Sequence, residues 1–528
     1  MAIFTAAGAL LRFFGLGGMG LWLDESNSVI IAAESLPGIV QRLRLDSSPI
    51  LYYLILHFWI QVFGMGSLAV KSLSAVFGTL LIPATYLLGR EISGRKAGLW
   101  ASGLITVAPL AIYYAREVRM YSLLPFLTVL LFWSALRFLR RGGRGALAAY
   151  LAIAVCCVHT HNVGIFVWIS AALLWWGVRR PSTTFRRWLL WQAIIPLLVV
   201  PWLPVLYQQL RNPTHYSWFE FFWSTYPPWA ALYRTLEAFV PGGFLPSYTD
   251  LGGLAWARVW SPLLALAFLI MGIAPRRGGA NDRSEPTSLR GQLPALAFIV
   301  PLFLPFLYSW VVQPVYAVGR TDTVVYPVFL ILLTAGGLRM RRRAVAAAAL
   351  ALFTTLSLLT LVPYYGSNRR AGDREIAEHA EALTRPYDII VCTGFARAST
   401  EYHFMARGQP RVLVSFPAEM AAHLGSLDES ALMMNEDRLE QEAHDVSDFL
   451  VEELRKGRRC LILRSPMRIN RFLWTVLERR FDMDLADPPG GFHQAVLRTP
   501  INVGRLSLGV SKMEAEIPVP GRLQDGGG

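Results

Sequence analysis

Charge is scarce in this chain: 16% of its 528 residues are Asp, Glu, Lys or Arg, against 54% hydrophobic, with a mean hydropathy of +0.40. So apolar a composition over this length excludes one ordinary soluble domain and indicates a polytopic α-helical membrane protein. Cysteine is sparse as well. The four present show no metal-ligand spacing: Cys156 and Cys157 sit in an apolar run, while Cys392 and Cys460 lie in the C-terminal part, where a disulfide between them is open. That part also lacks a Walker loop, a GxGxxG and a zinc-ligand pattern, which leaves no motif for nucleotide or zinc binding. Residues 1–23 hold a single charge, Arg12, and neither a basic n-region nor a small-residue cleavage site. They read as an uncleaved first span, which Arg12 makes marginal.

What charge there is follows a pattern. The formal net charge is +14, and arginines gather in every second gap between apolar runs: Arg90/Arg95/Lys96, Arg137/Arg140/Arg141/Arg144, Arg179/Arg180/Arg186/Arg187, Arg276/Arg277/Arg283/Arg290 and Arg339/Arg341/Arg342/Arg343. The intervening gaps mix charges with aromatics and prolines. This alternation is the positive-inside pattern, so the excess charge is topology and nucleic acid is not a partner.

A hydrocarbon core about 30 Å thick needs roughly 20 apolar residues per helix. Eleven such runs fall near 2–22, 69–89, 97–114, 121–139, 146–163, 164–178, 188–208, 255–274, 292–312, 322–338 and 344–363. Basic gaps inside put the N-terminus in the cytoplasm and residues 364–528 outside, in a multi-pass protein of the inner (plasma) membrane. Residues 1–363 are then a transmembrane domain with large outward loops at about 23–68 and 209–254. In the first loop, PILYYLILHFWIQVF (Pro49 to Phe63) is too short to cross and lies along the interface. Residues 364–517 read as a periplasmic α/β domain. GDREIAEHAEAL and ASTEYHFMARG are helical, PYDIIVCTG, PRVLVSF and RRCLILRS are strands, RINRFLWTVLERRF is a helix, and 518–528 is a disordered tail. The absence of motifs favours an accessory lid or docking unit over a second catalytic unit.

The chemistry-bearing residues fall in outward turns. In LWLDESNS the acids Asp24 and Glu25 follow an apolar stretch; they are either interfacial acids at a helix start or members of a site. YYAREVRMYSL packs Arg116, Glu117, Arg119 and Tyr121 at the junction of two membrane helices. Ionisable groups are costly there unless paired, and two arginines beside an acid and a tyrosine make either a salt-bridged cap or a seat for a phosphate. Asp46 follows Arg42 and Arg44 and precedes Ser47, Ser48 and Pro49; it suits a helix cap, a metal or an acceptor equally. His161, in CCVHTHNVG with His159, is a packing residue or a ligand. Arg320, in QPVYAVGRTDTVVYP, either pairs with Asp322 or anchors a lipid phosphate. Together these groups suit a sugar donor carried on a lipid phosphate: arginine holds the leaving phosphate, and a carboxylate takes the proton of an attacking hydroxyl. Adjacent carboxylates either raise the basicity of one member or hold a divalent cation, Mg or Mn.

LLRFFGLGGMGLWLDESNS, then Asp46-Ser-Ser-Pro49 leading into ILYYLILHFW, then SLAVKSLSAVFGTLLIPATYLLGREISGRKAG and AREVRMYSL, resemble the N-terminal half of bacterial GT-C glycosyltransferases. The resemblance is to the branch of protein O-mannosyltransferases, lipid A aminoarabinose transferases and rhizobial lipopolysaccharide sugar transferases. It covers about residues 10–180 well, Pro314 to Gly337 weakly, and the C-terminal part in layout only. It implies a GT-C-like fold, Asp24 as catalytic base with Glu25 shaping the site, and Glu117 as the second acid. Arg116, Arg119 and Tyr121 fall in the same motif, on the donor phosphate. Two departures stand out: the turn at Asp46 lacks the double proline of relatives, and Arg320 is followed by Thr321 instead of Tyr. The expected activity is inverting transfer of a sugar from a polyprenyl-phosphate donor to a lipid, glycan or protein acceptor outside the membrane. The alternatives are a transporter or flippase of lipid-linked sugars, for which midplane charges and internal repeats are wanting, and a polymerase or ligase of cell-surface polysaccharide.

Overall fold

The computed structural model of the chain describes residues 1–178, 180–211, 223, 228–243, 255–274, 292–366, 371–409, 411–422, 429–465, 467–486 and 493–500. Most of the expected outward loop 209–254 lies outside the described residues, as do Arg179, the basic gap Arg276/Arg277/Arg283/Arg290 and the tail 518–528.

The membrane part is helical throughout: α1 (Ala2–Phe13), α2 (Leu23–Ala33), α3 (Leu36–Leu43), α4 (Leu51–Phe63), α5 (Ser67–Ser93), α6 (Arg95–Val107), α7 (Pro109–Tyr114), α8 (Leu123–Arg141) and α9 (Arg144–Thr160). It continues with α10 (Gly164–Gly177), α11 (Phe185–Val199), α12 (Leu203–Arg211), α13 (Pro228–Phe239), α14 (Ala255–Ile273), α15 (Gln292–Val311), α16 (Tyr326–Arg339) and α17 (Arg343–Gly366). Among the described residues, six helical stretches are long and apolar enough to cross a membrane, or seven if one sharply bent pair is a single span, so the count of eleven is not reached. Length is the reason for three of the missing runs. The helices α6, α9 and α10 have 13, 17 and 14 residues, about 20, 26 and 21 Å at 1.5 Å per residue, short of the ~30 Å core.

The bent pair corrects the straight span expected over 2–22. Helix α1 ends at Phe13; Gly15 adopts a left-handed φ of 64°, a short 3-10 turn covers Leu16–Gly18, and α2 sets off at 86° to the first direction. The run GLGG has poor helix propensity, and a left-handed residue stops the hydrogen-bond ladder. Arg12 does not weaken α1 from within a membrane. It is fully buried and donates to the carbonyls of Gly8, Ile105 and Thr106 at 3.0–3.2 Å. Farther along, α14 and α16 approach so closely that a Cβ on Gly336 would stand 1.9 Å from the Phe268 carbonyl oxygen. Only glycine permits that backbone contact. Helix α4 leaves Phe58, Val62 and Phe63 exposed, the apolar face expected of a segment lying along the interface.

Beyond α17 comes a small α/β domain: α18 (Ala371–Leu383), β1 (Ile389–Thr393), α19 (Ala396–Ala406), β2 (Val412–Phe416), α20 (Glu419–Ala422), α21 (Glu429–Met433), α22 (Glu436–Arg455), β3 (Cys460–Arg464), α23 (Asn470–Arg480), β4 (Phe481–Ala486) and β5 (His493–Pro500). The strands form one sheet in the order β2-β1-β3-β5-β4, parallel across β2, β1 and β3 and antiparallel at β5 and β4. Continuous apolar runs such as Ile389 to Val391 fit a sheet covered on both faces. The pleat decides the cysteine question. Cys460 pairs in register with Ile389 and packs with Val391 and Ile462, whereas Cys392 packs with Ile390 and Leu461 on the opposite face. No disulfide joins them, and burial pushes both thiols up to about 12.

The α/β domain rests on the N-terminal turn of the membrane part. Ala398, Tyr402 and Met405 of α19 pack on Leu23 and Ile30 of α2, and the Tyr402 hydroxyl donates to the Met65 carbonyl at 2.9 Å. Behind this contact, His403 bonds Glu381 at 2.9 Å and has the Arg407 guanidinium 2.6 Å from its ring. Burial holds His403 below its usual range, against the raising effect of Glu381. Glu381, which burial alone would raise, is carried below the carboxylate range by hydrogen bonds from His403 and Gln409 and by the charge of Arg407. Both groups bind protons more tightly in the unfolded chain, so stability rises with pH. The His403 contribution is complete above about pH 6.5 and fades below it, and that of Glu381 fades below about pH 4.3. Thermal unfolding of the full chain, followed by near-ultraviolet circular dichroism, should show a falling midpoint from pH 7.5 to pH 5, and His403→Gln should flatten that portion.

Candidate active site

The stretch LWLDESNS opens helix α2. Trp22 is the N-terminal cap position, its backbone N–H donating to the Glu25 carboxylate at 3.2 Å, so Asp24 and Glu25 occupy the first turn, where the helix dipole favours acids. Adjacent residues on a helix diverge by about 100°. The two acids therefore face different partners.

Glu25 turns inward. Its Oε1 accepts from Lys71 Nζ of α5 at 2.5 Å and from the Val118 backbone N–H at 2.9 Å, and both charged side chains are 0% exposed. Asp24 turns toward Arg320, with 3.6 Å between Oδ2 and Nη2 and both side chains still partly open to solvent. Arg320 is placed by the loop after α15. There the Ser309 hydroxyl accepts from the N–H groups of Val315 and Tyr316 at 2.9 and 2.8 Å, and Gly319 takes a left-handed φ of 73°. Asp322 does not pair with Arg320; its buried carboxylate accepts from Gly319 N–H at 3.0 Å and from the Thr235 hydroxyl at 2.6 Å, which pins the loop.

Arg119 approaches from the turn before α8. Its Nη1 donates to the Ser28 and Tyr53 hydroxyls at 3.2 and 3.5 Å, while its buried Nε has no partner among the described residues. Tyr121 lies between the two arginines, 5.9 Å from the Arg119 guanidinium and 6.0 Å from that of Arg320. Arg119, Tyr121, His161 and Arg320 line a cavity of about 280 Å³, with Ser48 on one wall and Trp202 and Tyr308 on another. His161 accepts from the Val163 N–H at 3.1 Å, and its ring stands 6.1 Å from that of Tyr121. Asp46 accepts from the Ser48 N–H at 2.9 Å in a turn before α4 and lies within electrostatic reach of Arg119 and His161.

Two members of the AREVRMYSL motif stand apart from the cavity. Glu117 is 1% exposed, within electrostatic reach of Tyr114 and Arg320. Arg116 points toward α1 and α17, donating to the Leu11 carbonyl and the Met19 sulfur, with its guanidinium 4.7 and 5.5 Å from the rings of Tyr365 and Tyr364. Helix-turn spacing explains this division, since residues three apart in an irregular turn need not share a side. Among the described residues no three His, Cys, Asp or Glu gather as a metal-ligand set. Asp24 and Glu25 face apart, Glu25 toward Lys71 and Asp24 toward Arg320. Lys71, Trp22, Ser28 and Tyr53 complete the site and were not singled out from the sequence. A lone lysine in the apolar stretch SLAVKSLSAVFG is a readable signal, because a cation there demands a buried partner.

No protein-family model matches the chain, and no curated protein sequence does. Solved structures do. ArnT from Cupriavidus metallidurans in the apo state superposes with a TM-score of 0.60 at 13% identity, over 94% of this chain and 97% of that one. The chain shares its fold with ArnT. ArnT bound to undecaprenyl phosphate gives a TM-score of 0.57 at 14% identity over the same shares. A looser likeness, TM-score 0.46 at 10% identity, links it to the Archaeoglobus fulgidus oligosaccharyltransferase over 93% of this chain and 73% of that one. The GT-C-like helical membrane architecture with a C-terminal α/β domain is thus common to this chain and ArnT.

The Glu25–Lys71 pair carries a direct test. Lys71→Ala leaves a buried, uncompensated carboxylate and should cost about 3–5 kcal/mol, whereas Glu25→Leu combined with Lys71→Met should cost far less. Unfolding midpoints of the detergent-purified variants measure this; equal losses in the two would show that the pair is not the interaction at stake.

Proposed function

We propose that this chain is a membrane glycosyltransferase that moves a sugar, with inversion, from a polyprenyl-phosphate donor to a lipid, glycan or protein acceptor on the outer side of the inner membrane. The observation that carries the reading is the partly open Asp24–Arg320 pair, whose arginine lines a cavity together with a second arginine, Arg119, that keeps a buried N–H without a partner among the described residues. The shared fold with ArnT, a structure of which holds undecaprenyl phosphate, supports the choice of donor. In this reading residues 1–363 form the catalytic membrane domain and residues 364–517 a lid over α2.

Each group then has a task. The donor phosphate enters between Arg320 and Arg119, where charge-assisted hydrogen bonds hold it. A phosphate on Arg320 draws that guanidinium off Asp24 and frees the carboxylate. The acceptor hydroxyl approaches the anomeric carbon from the side opposite the phosphate, and Asp24 takes its proton as the new C–O bond forms. The bond to the phosphate oxygen breaks with its electron pair, and the two arginines stabilise the charge left on the polyprenyl phosphate. Tyr121 keeps the arginines apart; His161 borders the same space, Asp46 lies within electrostatic reach of it, and both are substrate-contact candidates. Glu117 supports Arg320 from the buried side. Glu25 and Arg116 act as positioning residues.

Purified protein incubated with a panel of radiolabelled polyprenyl-phosphate sugars and an envelope extract as acceptor tests this. Asp24→Asn should lower kcat about 10²- to 10⁴-fold, the range of a lost general base. Arg320→Gln should raise the KM for donor as well as lowering kcat. Transfer by Asp24→Asn at the wild-type rate would remove the assignment, and a product with retained anomeric configuration would remove direct displacement.

A further inference from the structure

Helix α13 reaches across to the loop that carries Arg320. Part of what holds that loop is internal to it: the Thr321 hydroxyl accepts from the Ala317 N–H at 2.8 Å, and the Asp322 carboxylate accepts from the Gly319 N–H at 3.0 Å. Two further bonds come from a distant part of the chain, the expected outward loop 209–254. The Trp223 indole N–H donates to the Tyr316 carbonyl at 3.0 Å, and Thr235 of α13 meets both the Tyr316 hydroxyl and, at 2.6 Å, the Asp322 carboxylate.

Thr235 has one proton to give. An ionised carboxylate only accepts, so the threonine donates to Asp322 and takes the proton of the Tyr316 hydroxyl, and the three groups bond in series. All three are buried, Thr235 and Tyr316 completely. In such surroundings bonds in series strengthen one another, and deleting the middle group strands the two at its ends. The series ends next to the site. Arg320 lies between Gly319 and Asp322, the two residues that this carboxylate ties together, and Gly319 holds a left-handed φ of 73°. A shift of Asp322 is therefore a shift of the turn that aims the guanidinium at Asp24 and at the cavity. A planar fork binds phosphate in a narrow range of directions, and a misplacement of about 1 Å at a site can cost about 10²-fold.

We propose that Thr235 is a positioning residue for the donor phosphate: its hydroxyl, acting through Asp322, fixes the direction of Arg320, so that α13 sets the affinity for the lipid-phosphate donor. The inference rests on the reading of Arg320 as a ligand of that phosphate.

Native mass spectrometry of the full-length protein in detergent, titrated with undecaprenyl phosphate, tests it. Thr235→Val keeps the shape of the side chain, removes the hydroxyl, and should weaken retention of the lipid about tenfold to a hundredfold, the range of a lost hydrogen bond to a charged group. Thr235→Ser restores the hydroxyl and should bind as the wild type does. Thr85→Val removes an equally buried hydroxyl, bonded to the Leu81 carbonyl at 2.7 Å within α5, and should leave retention unchanged. Wild-type retention in Thr235→Val, or the same loss in Thr85→Val, overturns the proposal. A serine variant as weak as the valine variant assigns the loss to packing and overturns it as well. Wild-type protein that binds no undecaprenyl phosphate removes the donor reading of Arg320 itself, a result distinct from wild-type binding that Thr235→Val leaves intact. Should Thr235→Val fail to fold, Tyr316→Phe decides: without the proton of Tyr316 the threonine hydroxyl is held on one side, retention should fall about threefold to tenfold, and retention equal to that of the wild type sinks the idea.

Discussion

The ion pair between Glu25 and Lys71 is the constraint on which the geometry of the site depends. A buried lysine in the second turn of an apolar helix and a glutamate with no exposure are each costly alone, and together they are tolerable only at close range with further hydrogen bonds. The Val118 and Trp22 N–H groups supply those bonds, so one carboxylate joins α5, the start of α2 and the turn before α8. With Glu25 turned inward, helical geometry leaves Asp24 facing outward. The buried member of the acid pair thereby aims its neighbour toward Arg320.

The charge balance around the cavity points the same way. Arg119 and Arg320 both stand near the ring of Tyr121, and the acids within reach of them, Asp24, Asp46 and Glu117, are not among the residues that line the cavity. The Asp24–Arg320 contact at 3.6 Å is looser than a forked arginine–carboxylate pair and partly solvated, which makes it weak. A phosphate presenting several strong acceptors to both arginines competes with it on favourable terms. Asp322 has the opposite character: buried and bonded to a backbone N–H and a threonine, it is a fixed peg for the loop that carries Arg320.

Much of this was readable in the residues, for reasons that differ from element to element. Helices lie where apolar runs predict them, and β1, β2 and β3 lie where short aliphatic runs do, because burial dictates both patterns. The bend after Phe13 was not legible, since a glycine-rich run is compatible with a marginal span as well as a break, and only packing against α5 selects between them. The count of eleven spans is not reached among the described residues for a related reason: runs such as Gly164–Gly177 are apolar enough for a membrane but too short to cross it upright. In the motif around Glu117 the residue types were legible while their directions were not. Arg116 and Arg119, three apart in an irregular turn, end on different sides of the backbone, one between Tyr364 and Tyr365 and one in the cavity. Pairing across the sheet likewise had to be seen before Cys392 and Cys460 could be assigned to opposite faces.

Arginine serves two different ends in this molecule, and placement separates them. Most of the basic residues in alternate gaps are exposed, and for them net charge suffices as an explanation, because any lysine or arginine would bias orientation equally. Arg12, Arg116, Arg119 and Arg320 are different: each is substantially enclosed and directed at named carbonyls, rings or carboxylates. Such placement needs the planar, multiply donating guanidinium, and a lysine substituted at any of them would retain the charge and lose the geometry. Lys71 is the converse case. Its compact ammonium on a flexible stem meets Glu25 at 2.5 Å and the Arg116 carbonyl at 3.4 Å. The choice of cation at each buried position therefore records what it must hold.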